Sequence, residues 1–499
     1  MTRLSRLRHG GWQPWLPILL AVALGALMAL ALAPGHILWV LPVSLGGISA
    51  LLLRDVSVRR AALLGWGFGF GYFALGLSWI LEPFQVDAER HAWMAPFAVV
   101  FLAGGLALFW GAAFAGAARW GRGAARLLLL IALWSLAEFA RAYVLTGFPW
   151  AAFGQFWVET PAMQLLPWVG PQGLALLTLV AFLPLAMLRT NPVWALLPGV
   201  MLAAGVALLP PPPEADRTDR KVRLVQPNAP QHQKWHPEFR WNFVRRAMTF
   251  NAEDPRPDMI IWPETSVPQL LNHAEDTLAA ITEMAPGVPL LLGIQREEDG
   301  AYFNSAVLVG PEGRVRQTYD KAHLVPFGEY VPFGNLMARF GIHGFASQAG
   351  AGYAAGPGAQ LLDLPIGRAL PLICYEAVFP QDVRAAPERP DVLVQITNDA
   401  WFGTRSGPYQ HLVQARMRAA EQGLPMLRAA NTGISGVIDP YGRLGQALPL
   451  GEVGYVDVLL PAPLPATLYS RAGDGPVLFL ALLLAGLGLR RGVKSPARS

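Results

Sequence analysis

The sequence predicts an α-helical membrane bundle joined to one α/β domain, and three observations carry that expectation. Only 15% of the 499 residues are charged and 53% are hydrophobic, against roughly 25% charged in an ordinary soluble domain. The long uncharged runs nearly all precede Pro210 or follow Pro476, while the stretch between them has ordinary globular composition. Arginines cluster beside alternate apolar runs, the asymmetry that short cytoplasmic loops show.

A helix needs about 20 apolar residues to cross the hydrocarbon core. Seven runs before the central stretch meet or approach that length: about Trp15–Ala33, His36–Leu53, Ala61–Leu81, Ala92–Ala118, Leu127–Leu145, Ala162–Leu188 and Val193–Leu209. An eighth runs from Val477 to Leu489. Arg3, Arg6 and Arg8 precede the first run as they would in a signal peptide. That run has no evident small-residue cleavage site and a second span follows it at once, so it reads as a retained helix.

Orientation follows from the arginines. Arg54, Arg59 and Arg60 follow the second span, Arg119, Arg122 and Arg126 the fourth, Arg189 the sixth, and Arg490, Arg491, Lys494 and Arg498 the eighth. The loop after the third span has Arg90 against Glu82, Asp87 and Glu89. Both termini are then expected in the cytoplasm and residues 213–475 outside it, on the periplasmic side of a bacterial inner membrane. The sequence pI of about 9.4 is explained by this topology, not by nucleic-acid binding, because the basic residues sit beside apolar runs and not on one face of a soluble domain. The expected domains are residues 1–212 as a seven-helix bundle, 213–475 as the catalytic domain, and 476–499 as the eighth helix with a basic tail.

Pro210–Pro213 ends the seventh span, since proline cannot continue a helix. From Lys221 the pattern changes to short runs bounded by Pro, Gly, Asn and Asp: Val222–Gln226, Met259–Trp262, Leu290–Ile294, Ala306–Val309, Ala369–Cys374, Val392–Thr397, Met426–Ala430 and Gly436–Ile438. These read as buried strands, and helical segments such as Glu238–Asn251 and Gln410–Gln422 lie between them. Alternation of this kind predicts layered α/β architecture. No short-period repeat stands out.

Three chemically capable residues are read at strand ends, where α/β proteins place reacting groups. Glu264 follows Met259-Ile260-Ile261-Trp262-Pro263, Lys321 lies in Tyr319-Asp320-Lys321-Ala322-His323, and Cys374, the only cysteine, opens Cys374-Tyr375-Glu376. A carboxylate can take a thiol proton and return it to a leaving group, a lysine can stabilise a thiolate and an oxyanion, and a thiolate can form a thioester. Each alone has a bland reading, as a core cysteine, a turn cap and a solvated loop charge. Together they are a set for acyl transfer. The lone cysteine excludes an intramolecular disulfide, and a thiol kept on the oxidising side of a membrane suggests use.

Trp262-Pro263-Glu264, Lys321 with Pro326-Phe327-Gly328-Glu329, Cys374-Tyr375-Glu376, and Thr397-Asn398-Asp399-Ala400-Trp401-Phe402-Gly403 resemble the nitrilase superfamily. With the flanking spans, the chain more closely resembles the bacterial apolipoprotein N-acyltransferases over nearly its whole length. That resemblance implies an α-β-β-α sandwich in which Glu264, Lys321 and Cys374 are base, stabiliser and nucleophile, supported by Trp235, Glu329, Tyr375 and Glu376. It implies a phospholipid acyl donor, typically phosphatidylethanolamine. The implied acceptor is the α-amino group of the amino-terminal S-diacylglyceryl-cysteine of an apolipoprotein. No cofactor and no metal is implied. Two other classes remain open on sequence: a membrane-tethered amidase that uses water, and a non-enzymatic receptor or transporter with a nitrilase-like binding domain.

Other signals carry less. Gly65, Gly67, Gly69 and Gly71 lie inside a span and read as close helix packing, not as a nucleotide loop. His323 and His411 read as structural, with a Cys-His nucleophile as the mechanistic rival. Glu138 with Arg141 one turn later is either a functional intramembrane charge or a helix pair. Trp150, Trp157 and Trp168 read as an aromatic belt. The apolar segment Phe327–Phe345 reads equally as an interfacial gate or a buried loop.

Overall fold

The computed structural model describes residues 15–332 and 352–493. Arg3, Arg6, Arg8, Lys494, Arg498 and the part of the apolar segment from Phe333 to Phe345 lie outside them. The chain divides into two compact units, Met1–Pro211 with Asp474–Ser499, and Pro212–Gly473.

The first unit is helical. Its helices include Leu16–Ala29, Val40–Leu53, Val58–Gly76, Ala95–Trp120, Ala124–Tyr143, Leu166–Phe182, Pro192–Ala207 and Gly475–Val493. Two continuous helical stretches, Ala88–Trp120 and Pro161–Met187, are long and apolar enough to cross a membrane. A third qualifies if Val58–Gly76 and Ser78–Gln85, bent by 59° at their break, form one span. Leu16–Ala29, Val40–Leu53 and Pro192–Ala207 are apolar but shorter. Length and composition within the described helices thus support two or three spans, where the hydropathy of the sequence suggests eight.

Helix Val58–Gly76 packs between Leu16–Ala29 and Ala95–Trp120, and its glycines explain how. Gly65 and Gly69 face Phe114 and Ala107, while Gly67 and Gly71 face Val22 on the other side. A Cβ at Gly71 would lie 2.0 Å from the Val22 carbonyl oxygen, and one at Gly65 would lie 2.6 Å from the Phe114 ring. Small residues at this spacing let backbones approach where lipid offers no hydrophobic drive.

Glu138 and Arg141 form a buried pair at 2.6 Å. Trp110 Nε1 donates to the carboxylate at 2.7 Å, and Arg141 Nη1 donates to the Trp150 carbonyl at 2.7 Å. The charges are therefore satisfied internally, and the pair braces the turn around Trp150. Trp150 itself is fully buried against Trp79, with ring centroids 4.5 Å apart. It is a core residue and does not belong to an aromatic belt, because the turn after Tyr143 folds it back among the helices. Trp168 is 65% exposed.

Among the described residues the second unit holds twelve strands. In the first half these are β1 (Arg217–Gln226), β2 (Met259–Ile261), β3 (Leu290–Glu298), β4 (Ala301–Val309) and β5 (Val315–Asp320). The second half has β6 (Leu362–Leu364), β7 (Gly367–Ile373), β8 (Val392–Thr397), β9 (Met426–Ala430), β10 (Ser435–Ile438) and β11 (Leu444–Leu448). The last, β12, spans Gly454–Pro461. They form two six-stranded sheets, ordered β12-β1-β2-β3-β4-β5 and β11-β10-β9-β8-β7-β6.

The sheets repeat one plan. Three parallel strands, β1-β2-β3 or β7-β8-β9, are followed by two antiparallel ones, and each sheet is closed by an antiparallel edge strand beside β1 or β7. Parallel strands need crossover helices, here Arg240–Asn251 and Glu275–Glu283 in one half, Pro380–Arg384 and Gly407–Gln422 in the other. Apolar side chains of β1–β4 pack with the first two helices around Trp262, Leu278 and Leu292. Those of β7–β9 pack on the last around Leu393, Leu412 and Met426. The other faces meet each other, β1 against β9 and β10, giving an α-β-β-α order of layers. The parallel strands are buried on both faces, which is why they read as continuous apolar runs. Strands β5, β6, β11 and β12, with half-exposed residues along them, gave no such run and were not predicted.

Candidate active site

Cys374 directly follows β7 and opens a short helical turn, Cys374–Val378. Its φ of +53° lies in the left-handed region, which a residue with a Cβ occupies only where its surroundings hold it. Glu264 follows β2, positioned by the fully buried Trp262, whose Nε1 donates to Asn251 at 2.9 Å. Gly293 on β3 allows that backbone to pass, since a Cβ there would lie 2.6 Å from Glu264 Cα. Lys321 is the first residue after β5. Glu264, Lys321 and Cys374 thus all sit at the carboxyl ends of strands, and all three are buried.

The Glu264 carboxylate accepts from Asn304 Nδ2 at 2.7 Å and from the Asn398 amide at 2.8 Å, and Lys321 Nζ lies 3.9 Å away. Lys321 Nζ donates to Glu329 at 2.8 Å, and Asn304 bridges to the same Glu329 at 3.1 Å. Burial disfavours the lysine charge, but Glu329 and Glu264 outweigh it and hold the ammonium well above its ordinary range. The Cys374 thiol is pushed up, chiefly by burial and then by Glu264, with Lys321 and the neighbouring Thr397 hydroxyl offsetting part of the rise. At rest the lysine is a fixed charge and the cysteine a thiol.

Glu376 ties two turns together. It accepts from Ile373 N at 2.7 Å, Tyr319 Oη at 2.7 Å, Ala322 N at 2.8 Å and His323 N at 3.2 Å. Burial raises its carboxyl to about 7 despite those donors. The turn that carries Lys321 is thereby fastened to the turn that carries Cys374. Tyr375 is buried edge-on to His323 and Phe379. Glu329 also accepts from Val325 N at 2.8 Å. Trp235 is half-buried and lines a small groove with Glu264, and Lys234 Nζ sits 5.6 Å over its ring.

Three contributors went unassigned in the sequence. Asn304 lies inside β4 with no local signal at all. Asn398 is in the quoted Thr397–Gly403 motif, but its contribution is a backbone N–H, which no side-chain pattern reports. Lys234 adjoins Trp235; it is buried and donates to the Glu264 carbonyl at 3.0 Å and to Thr265 Oγ1 at 2.9 Å. Burial outweighs the pull of Glu264 and lowers its ammonium to about 8. Of the histidines, His323 Nδ1 meets Asp382 at 2.7 Å and its ring stacks on Phe379. His411 Nε2 meets the main-chain carbonyl of Cys374 at 3.1 Å.

Residues 214–462 match the carbon-nitrogen hydrolase family model, and residues 24–183 match that of the apolipoprotein N-acyltransferase N-terminal domain. The chain is 38% identical to the apolipoprotein N-acyltransferase of Rhodopseudomonas palustris, over 98% of this chain and 99% of that protein. It is 39% identical to that of Bradyrhizobium diazoefficiens, over 96% of each. Among solved structures, an amidase from Nesterenkonia sp. aligns with 53% of this chain and 96% of its own, at 20% identity and a TM-score of 0.37.

Proposed function

The chain belongs to the apolipoprotein N-acyltransferase family, and from that premise we propose how its residues move an acyl chain from a membrane phospholipid to the amino-terminal S-diacylglyceryl-cysteine of an apolipoprotein. The observation that supports the reading is the buried cluster at the strand ends, with one thiol, one hydrogen-bonded carboxylate and one fixed ammonium.

Because the Cys374 thiol is held above its ordinary range, its proton leaves as the new bond forms. Glu264, gripped by Asn304 and the Asn398 amide, accepts it. Sulfur attacks the ester carbonyl of the phospholipid, phosphatidylethanolamine being the expected donor. The oxyanion is met by the Lys321 ammonium and the Tyr375 N–H, which has no acceptor among the described residues. Collapse expels the lysophospholipid alkoxide, which takes the proton from Glu264, and leaves an acyl thioester. The acceptor amine then attacks that thioester, loses its proton to Glu264, and leaves as an amide while the thiol is restored. Lys321 takes no proton in either half, since two carboxylates keep it charged. An ester is exchanged for an amide, so the transfer runs downhill without a cofactor.

One nucleophile used twice predicts ping-pong kinetics. Incubation with phospholipid alone is expected to add one acyl group to Cys374, seen by mass spectrometry as a mass lost to hydroxylamine, and double-reciprocal plots are expected to be parallel. Intersecting plots with no acyl-enzyme would mean a direct transfer and would end the thioester mechanism.

The residues that flank the site unit in sequence supply eight spans in this reading, with the site on the periplasmic side of the inner membrane. The support is the arginine asymmetry of the loops. Cys374 is buried, so a membrane-impermeant maleimide reads only added cysteines. In intact cells Asp87→Cys and Asp299→Cys are expected to react and Ser57→Cys to stay silent. Labelling at Ser57→Cys would reverse the topology.

A further inference from the structure

Beneath the nucleophile lies a closed ring of buried side chains that none of these steps employs. Its hub is Arg428 on β9, fully buried and able only to donate. One amino group donates to Gln395 Oε1 on β8, and another donates to Asp399 Oδ2 at 2.5 Å. With its oxygen turned to the guanidinium, Gln395 presents Nε2 the other way, where it donates to the Cys374 carbonyl at 3.2 Å. Asp399 Oδ1 meets His411 Nδ1 at 2.9 Å, and His411 Nε2 reaches the same Cys374 carbonyl at 3.1 Å. Carboxylate and carbonyl oxygens both only accept, so these two contacts place a proton on Nδ1 and on Nε2, and Gln395 Nε2, 3.1 Å from His411 Nε2, shares the carbonyl with it. Thr397 adds a further bond to Asp399 at 3.0 Å. Two arms thus leave one arginine and converge on one backbone oxygen.

We propose that this ring is a positioning device for the peptide that follows the nucleophile, with His411 and Gln395 as its positioning residues. Carbonyl and N–H of a trans peptide point in opposite directions, and the bond between Cys374 and Tyr375 is trans. Gripping the Cys374 oxygen from two donors therefore fixes the peptide plane and aims the Tyr375 N–H away from the ring, toward the reacting acyl group. The same grip holds the left-handed φ of Cys374. Asp399 serves as the clamp of His411, and its carboxyl is held down at about 2 by Arg428 and His411 against the opposing effect of burial.

The inference rests on the thioester mechanism above, and two reactions of the same thiol separate them. Acylation by phospholipid develops an oxyanion, whereas alkylation by iodoacetamide does not. His411→Leu is expected to slow acylation of Cys374 in single turnover by about 100-fold, the scale of a lost oxyanion donor. Alkylation should change by less than about threefold, since the thiol and its base are untouched. His411→Gln, which keeps a donor near the carbonyl, is expected to recover about tenfold of the loss. Gln395→Leu cuts the other arm and carries the same split, so the test stands even if His411→Leu fails to fold. Equal losses in both reactions would overturn the proposal by making the ring a general support or His411 a base for the thiol, and so would unchanged acylation. A wild-type enzyme that is alkylated but never acylated would instead overturn the mechanism on which the inference rests.

Discussion

Replacing Cys374 by serine is expected to reduce acyl transfer by about 10³-fold or more. The substitution keeps a small side chain at a buried position with the same left-handed backbone, so the fold should persist. What it removes is the thiol, whose acidity is already raised by burial and by the neighbouring Glu264. A hydroxyl starts less acidic still, and the Glu264 carboxylate is too weak a base to draw its proton. An oxygen ester would also be a poorer intermediate than a thioester for attack by an amine. Single-turnover transfer from a phospholipid, with thermal unfolding as the control, measures both expectations. A serine variant within tenfold of wild type would remove the covalent step from the mechanism.

Lys321→Met is expected to cost about 10²- to 10³-fold in each half-reaction, and to destabilise the domain as well. Methionine keeps much of the stem packing but removes the charge between Glu264 and Glu329. Two buried carboxylates would then share a pocket with only Asn304 between them, and breaking a buried pair in this way typically costs about 3–5 kcal/mol. The two consequences can be separated. Adding Glu329→Gln to Lys321→Met removes one of the stranded carboxylates, so the double variant should regain stability while activity stays low, a coupling read from a double-mutant cycle. Recovery of activity along with stability would show that Lys321 serves the fold and not the oxyanion.

Legibility in the sequence followed burial. The central strands β2, β3, β7, β8 and β9 are covered on both faces, and continuous apolar runs such as Met259-Ile260-Ile261 and Val392-Leu393-Val394 announced them. Edge strands such as β11 and β12 stayed hidden because their residues are half-exposed, and the partner of β12 is β1, far along the chain. The two-fold plan of the sheets left no mark on the sequence for the same reason, since pairing order is not a composition. In the helical unit the alternating glycines of Val58–Gly76 were readable because their spacing on one helix is local. Trp150 was misread because an indole between apolar residues looks the same facing lipid or facing Trp79.

By itself, then, the sequence determined the division into a helical unit and an α/β unit, and it offered Glu264 and Cys374 as candidates because each follows a run of apolar residues, while Lys321, after the mixed run Val315–Asp320, stood out only together with them. Only the tertiary structure decided how those groups are held. Asn304 from β4, the Asn398 amide and Lys234 reach Glu264 from three separate places in the chain. Arg428, Gln395, Asp399 and His411 close on the Cys374 carbonyl from two strands, a turn and a helix. A reacting group is legible because its type is unusual at a strand end. Its supports are ordinary polar residues whose meaning lies in distances across the fold, and only the packed sheets bring those distances within hydrogen-bond range.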